Sequence, residues 1–142
     1  MSMRSTVERL IRPRETGYAH CDIPCGIYDP KAAQIAAETV EKMIMLINDL
    51  EYAQDPAPHN SVARYVAVKE QHAELVKHEV RVIWGDYFKP PHLEAFPDLH
   101  AKVWNIMKVA SACKVGIDIA DAQALRAAVD EFADMFWKSK QG

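Results

Sequence analysis

Apolar residues recur at alternating steps of three and four along most of this chain, and prolines or turn residues break the recurrence at three points. A stripe of that period lines one side of an α-helix, whereas a half-buried strand needs a period of two. The first predicted helix runs from Pro30 to about Gln54, with Ala36, Val40, Met43, Ile47 and Leu50 on its stripe. Asp29 supplies a side-chain acceptor for its first turn, and Pro30 suits the first helical position, where an N–H would go unpaired. Asp55-Pro56-Ala57-Pro58 then ends it. A second helix, capped by Asn60 or Ser61, carries Val62, Val66, Ala73, Val76, Val80, Ile83 and Tyr87 as far as Lys89, interrupted only by Lys69. Pro90-Pro91 stops that helix. The third starts near Pro97, aligns Leu99, Val103, Ile106, Ala110 and Cys113, and ends at Gly116 in an expected left-handed cap. The fourth begins at an Asp118 cap and buries Ala122, Leu125, Val129, Phe132 and Phe136. Four such helices on short connections predict an all-α, up-down-up-down four-helix bundle.

At 142 residues the chain is long enough for one domain with a real core. Its net charge of -3 is dispersed, and no Lys/Arg cluster alternates with aromatics, which argues against nucleic acid and acidic membranes as partners. No apolar run approaches the roughly eighteen residues of a membrane span. Residues Met1 to Ala19 carry Arg4, Arg9, Arg12 and Arg14 without the continuous apolar stretch of a secretory signal, so a soluble, cytoplasmic protein is expected.

Three cysteines make no even disulfide framework, and Cys21 and Cys25 sit only four apart. They belong to His20-Cys21-Asp22-Ile23-Pro24-Cys25-Gly26-Ile27-Tyr28, a hook ahead of the first helix. Pro24 restricts the chain and Gly26 is free to take positive φ, so both sulfurs are able to face one point. Thiolates are soft donors, and square-planar nitrogen and sulfur ligation suits nickel. Structural zinc usually wants a second pair of ligands, which is absent here. Spacing alone leaves two readings open: a small metal chelate, or a buried or redox cysteine pair beside a histidine.

The run His20-Cys21-x-x-Pro24-Cys25-Gly26-x-Tyr28-Asp29-Pro30 resembles the hook that opens mature nickel superoxide dismutases. Lys69-Glu70-Gln71, Ala73-Glu74-Leu75 and Lys77-His78 are similar to that family's second helix. Trp84 with Asp86-Tyr87-Phe88-Lys89-Pro90-Pro91-His92, then Pro97 and Leu99-His100, continues the likeness in the same order. The resemblance implies a propeptide of residues 1 to 19, removed by a peptidase cutting between Ala19 and His20, and a mature bundle domain over residues 20 to 142. It also implies one nickel ion per subunit, held by the His20 amine, the Cys21 amide and the thiolates of Cys21 and Cys25, with the His20 imidazole added when the metal is oxidised. Tyr28 and Tyr87 would order water and restrict access at the metal's open face, and Asp22 would shape that pocket through its backbone. Superoxide dismutation in a homohexamer is the expected function. The Asp86 to His92 segment of a neighbouring subunit is expected to form part of the wall behind the hook.

Two positions depart from the pattern. Where the family braces the axial His with a Glu and an Arg, this chain has Ala36 and His72. His72 either replaces part of that brace or is an ordinary polar helix residue, and a non-catalytic nickel or copper sequestering protein stands as the alternative function. A ferritin-like di-iron site would need Glu-x-x-His pairs, and none of the six His has a Glu three positions earlier. Cys113, on an apolar stripe, reads as packed. His59, His78, His92 and His100 share no ligand spacing and read as surface, capping or interface residues, and Lys89 reads as a solvated helix-end charge with some capacity to attract superoxide.

Overall fold

A computed structural model describes residues 26–51 and 56–141. Five α-helices and one π-helical turn make up its regular structure. They are α1 (Lys31–Asn48), α2 (Pro56–Val82), the π turn (Ile83–Tyr87), α3 (Pro90–Ala95), α4 (Leu99–Val115) and α5 (Ile119–Ser139). The long helices pack in a ring, α1 on α2 and α5, and α4 on α2 and α5.

Side-chain pairs between the helices set the directions. Gln34 Nε2 donates to Asp130 Oδ1 at 2.7 Å and Arg126 Nη1 to Glu41 Oε2 at 2.8 Å, so α1 and α5 run antiparallel. Lys77 Nζ to Ser111 Oγ at 2.7 Å and Trp84 Nε1 to His100 Nδ1 at 2.9 Å do the same for α2 and α4. The architecture is the expected up-down-up-down bundle, with α3 as a short addition in the connection from α2 to α4. The core is made where the stripes meet: Val40, Ile44, Val76, Val80, Ile83, Leu99, Ile106, Leu125, Phe132 and Phe136 are all buried.

Several boundaries and core positions differ from the sequence reading. Helix α1 stops at Asn48, before Gln54, and its buried line is Ala33, Ala36, Ala37, Val40, Ile44 and Ile47. Met43 and Leu50 are only partly buried, because the inward face drifts by one position along a helix of 3.6 residues per turn. Helix α2 starts at Pro56, four residues earlier than Asn60, since Pro56 and Pro58 both fall in the first turn, where no intrahelical N–H is required. Pro90 opens α3 as its first residue instead of only closing α2. Asp118 caps α5 as expected, accepting from Ala120 N at 2.9 Å, whereas α1 starts one residue later than expected: Pro30 is its N-cap, and Asp29, one residue outside, accepts from Lys31 N at 2.8 Å.

Gly116 is not a left-handed cap: its φ of -108° and ψ of -179° are extended. The reason lies on another helix. Lys69 is 2% exposed, and its ammonium donates to the carbonyls of Cys113, Lys114 and Gly116 at 2.8, 2.8 and 2.7 Å. Carbonyls that usually bend the chain back onto a helix end are satisfied from the side, so the chain leaves α4 extended toward α5. The residue that interrupts the apolar stripe of α2 is thus an internal cap, placed at the negative end of the α4 dipole.

Replacing that cation by an apolar side chain of similar length strands three carbonyls. Lys69→Met is expected to lower unfolding stability by about 1–3 kcal/mol, read as a lower urea midpoint at unchanged slope. Lys108→Met, at an exposed site on α4, should leave the midpoint in place.

Candidate metal centre

The described chain begins at Gly26, whose φ of +64° is left-handed. A Cβ there would meet no atom within 4 Å, so the backbone angle and not space is what favours glycine. This turn brings the chain onto the bundle. Ile27 stays exposed, and Tyr28, two residues on, is 7% exposed and part of the main core cluster. His20, Cys21, Asp22 and Cys25 lie outside the described residues.

Tyr87 arrives beside Tyr28 from the far end of α2. The last turn of that helix widens over Ile83–Tyr87, and Phe88 N reaches back five residues to Ile83 O at 3.3 Å. A π turn inserts one residue into the helical register and re-aims the side chains beyond it, a device frequent at functional sites. Here it sets the Tyr87 ring among four others: Tyr28 at 5.6 Å, Phe88 at 5.2 Å, Phe136 at 4.6 Å and His92, stacked at 5.4 Å with planes 10° apart. His92 is itself held, accepting from Lys89 N at 3.0 Å on Nδ1. Through Tyr87, the Asp86 to His92 segment stands against Tyr28 at the foot of the hook within its own bundle. Lys89 folds its ammonium back to Asp86 O at 2.9 Å.

A cavity of about 210 Å³ opens at this point, lined by Ile27, Tyr28, Asp29, Glu79, Val82 and Ile83. Glu79 was not singled out from sequence. It sits one turn before Ile83 on the α2 face that meets the hook's foot, and that i, i+4 relation is the signal that could have found it. His72 lies two turns earlier on α2. Its Nδ1 is 2.8 Å from Val68 O, so the ring donates to its own helix and lines a different depression with Gln71, Glu74, Leu75, His78 and Arg81. Ala36 is 1% exposed in the core. Neither residue borders the cavity beside Tyr28.

Among the described residues, no group of three or more His, Cys, Asp or Glu is placed to hold a metal ion. Cys113 is buried at the α4 end, and burial, with a smaller contribution from Asp121, pushes its thiol up to about 11. A thiol held protonated is a poor ligand, because the thiolate is what binds metal. The described fold is an all-α bundle, and the sequence places the Cys21 and Cys25 pair ahead of it rather than between its helices.

Comparison with known proteins agrees. The profile of the family described as nickel-containing superoxide dismutase matches residues 15–140. The superoxide dismutase [Ni] of Streptomyces coelicolor is 42% identical over 135 residues, 95% of this chain and 98% of that protein. The enzyme of the same name from Streptomyces seoulensis is 40% identical over 137 residues, again 95% and 98%. A native nickel superoxide dismutase solved at 1.30 Å superposes with a TM-score of 0.76 at 41% identity, covering 87% of this chain and 100% of that one. A second, with nickel ligation corresponding to the oxidised state, reaches 0.78 at 39% identity with the same coverage. The chain belongs to the nickel-containing superoxide dismutase family; its activity is superoxide dismutation and nickel is its cofactor. The sequestering alternative is not favoured.

If Cys113 is only packed, Cys113→Ser should keep the full nickel content and turnover of the parent. A buried hydroxyl in its place should cost about 1–3 kcal/mol of stability, seen as a lower thermal midpoint.

Proposed function

We propose that His20, Cys21 and Cys25 hold the nickel at which this chain converts two superoxide ions and two protons to dioxygen and hydrogen peroxide. The observation that carries the assignment is that the described fold offers no rival donor cluster, while the matched region spans the hook. The groups that would hold it are the α-amine and imidazole of His20, the deprotonated Cys21 amide and the thiolates of Cys21 and Cys25. When bound, nickel supplies a one-electron couple between its divalent and trivalent states. The chain's part is to donate charge through two thiolates and an amidate, which favours the higher oxidation state, and to hold those donors in place. Tyr28 and Tyr87 wall the approach with rigid rings, and Asp22 shapes the pocket through its backbone. His72, turned onto Val68, is read as a helix residue and not as part of the brace.

Residues 1 to 19 are a propeptide in this reading. An α-amine ligand exists only after cleavage between Ala19 and His20, because a peptide nitrogen there is no primary amine. The solved dismutase chains are covered whole by 87% of this chain, whereas the curated sequences align with 95% of it, which supports a shorter mature form. Assembly into a homohexamer is supported by apolar surface that a single bundle leaves open, including Trp104 at 63% and Val115 at 92% exposure. No helix among the described residues is long and apolar enough to cross a membrane. The cytoplasm, where thiols stay reduced before metal loading, is the compartment we assign.

Processed, nickel-loaded protein tests this directly. Cys21→Ser and Cys25→Ser should each abolish metal retention and turnover while circular dichroism still reports a helical bundle; near-parental activity in either would refute the ligand set. Chain that keeps residues 1 to 19 should be inactive with nickel supplied, and activity should appear on cleavage before His20. Light scattering of the active form should give one species near six times the subunit mass, and an active monomer would refute the hexamer.

A further inference from the structure

The hydroxyl of Tyr87 lies 2.8 Å from Ser139 Oγ, and Ser139 Oγ lies 2.6 Å from Phe136 O. Two oxygens at that distance need a hydrogen between them, and a carbonyl has none to give. Ser139 therefore donates to Phe136, and its only hydrogen is committed there. The hydrogen in the Tyr87–Ser139 contact must then be the tyrosine's. The arrangement follows from how α5 ends. Lys140 N turns to Trp137 O at 3.2 Å instead of reaching four residues back, which leaves the Phe136 carbonyl open to the serine. A helix C-terminus presents acceptors, so donors are drawn toward it, and the Lys140 ammonium also gathers there, 4.8 Å from the Phe136 ring.

We propose that Ser139 is a positioning residue for the dismutase reaction: it holds the Tyr87 proton on the end of α5, so that Tyr87 faces the metal's approach as a hydrogen-bond acceptor only. This rests on the reading that Tyr87 borders the metal. A phenol free to donate binds small anions, both the superoxide substrate and a peroxide anion on its way out. One whose proton is engaged offers only lone pairs, which repel anions and accept from water. The tyrosine thus narrows the approach without becoming an anion trap. The ring is fixed from every side by Tyr28, Phe88, His92 and Phe136, so the direction of this one hydrogen is the freedom that remains to be set.

The test uses Ser139→Ala, Ser139→Thr and Tyr87→Phe in the processed protein. Raman spectra of the metal-free forms, with Tyr87→Phe subtracted, report the tyrosine Fermi doublet, whose intensity ratio is low for a donor and high for an acceptor. The parent and Ser139→Thr should show the donor ratio, and Ser139→Ala should lose it. In the nickel-loaded forms, azide as a small-anion probe should inhibit Ser139→Ala about five-fold more tightly than the parent, the weight of one neutral hydrogen bond. Ser139→Thr should restore parental inhibition, and Ser139→Ala combined with Tyr87→Phe should not show the tightening. An unchanged doublet in Ser139→Ala overturns the proposal, as does tightening that persists without the Tyr87 hydroxyl. Azide inhibition unmoved by Tyr87→Phe and by Ser139→Ala, in an enzyme that still turns over, would overturn it through the placement of Tyr87 while leaving the nickel assignment intact.

Discussion

One buried ammonium decides how this bundle closes. Lys69 enters the core from α2 and hydrogen-bonds three carbonyls at the end of α4. Burial lowers its affinity for a proton, yet each ammonium hydrogen has a carbonyl to meet, so the charge is matched by the negative end of a helix rather than by a carboxylate. The consequence reaches past α4. Because the helix end is satisfied from the side, the turn through Gly116 and Ile117 runs extended, and Asp118 starts α5 almost at once. Asn48, at the end of α1, donates to Ile117 O at 3.1 Å, so the first helix is tied to the same turn. One end of the bundle is thereby fixed by polar contacts that join α1, α2, α4 and the turn leading into α5.

The opposite end is fixed by rings. Tyr28 leads into α1, Tyr87 closes the π turn, Phe132 and Phe136 come from α5, and Phe88 with His92 come from the connection. Aromatic rings deliver large buried area with few torsions to freeze, which suits a place where a short N-terminal segment must be held still. The segment proposed to bind the metal joins the described chain at Gly26, at this end, and the polar clamp sits at the other. Strain or exchange at the metal is therefore separated from the interaction that sets helix register.

The four stripes were readable because helical period is a local property, and each predicted buried residue of α4 and α5 is buried in the fold. What escaped reading depends on contacts between distant residues. Lys69 looked like a flaw in a stripe because its partners are more than forty positions away. Gly116 looked like a left-handed cap for the same reason. The π turn at Ile83–Tyr87 left no mark in the spacing, since an inserted residue shifts register only at its own position. The proposed hook donors are contiguous in sequence and so could be read as a motif, whereas Glu79 and Ser139 reach the Tyr28 and Tyr87 end from two separate helices, α2 and α5.

That contrast bears on the two departures at Ala36 and His72. A carboxylate on the inward face of α1 at position 36 would enter a site that is 1% exposed and ringed by apolar side chains. Alanine removes that demand and lets α1 approach α2 closely, and His72 then answers to its own helix at Val68. The polar group of α2 that faces the hook's foot is Glu79, whose cavity is shared with Tyr28 and Asp29. Ala36 and His72 are consistent with each other. With alanine at position 36, an arginine at position 72 would bring a partly buried charge with no carboxylate there to match it, which is costly. The proposed donors sit on the segment ahead of Gly26, where changes in bundle packing do not alter their identity or spacing.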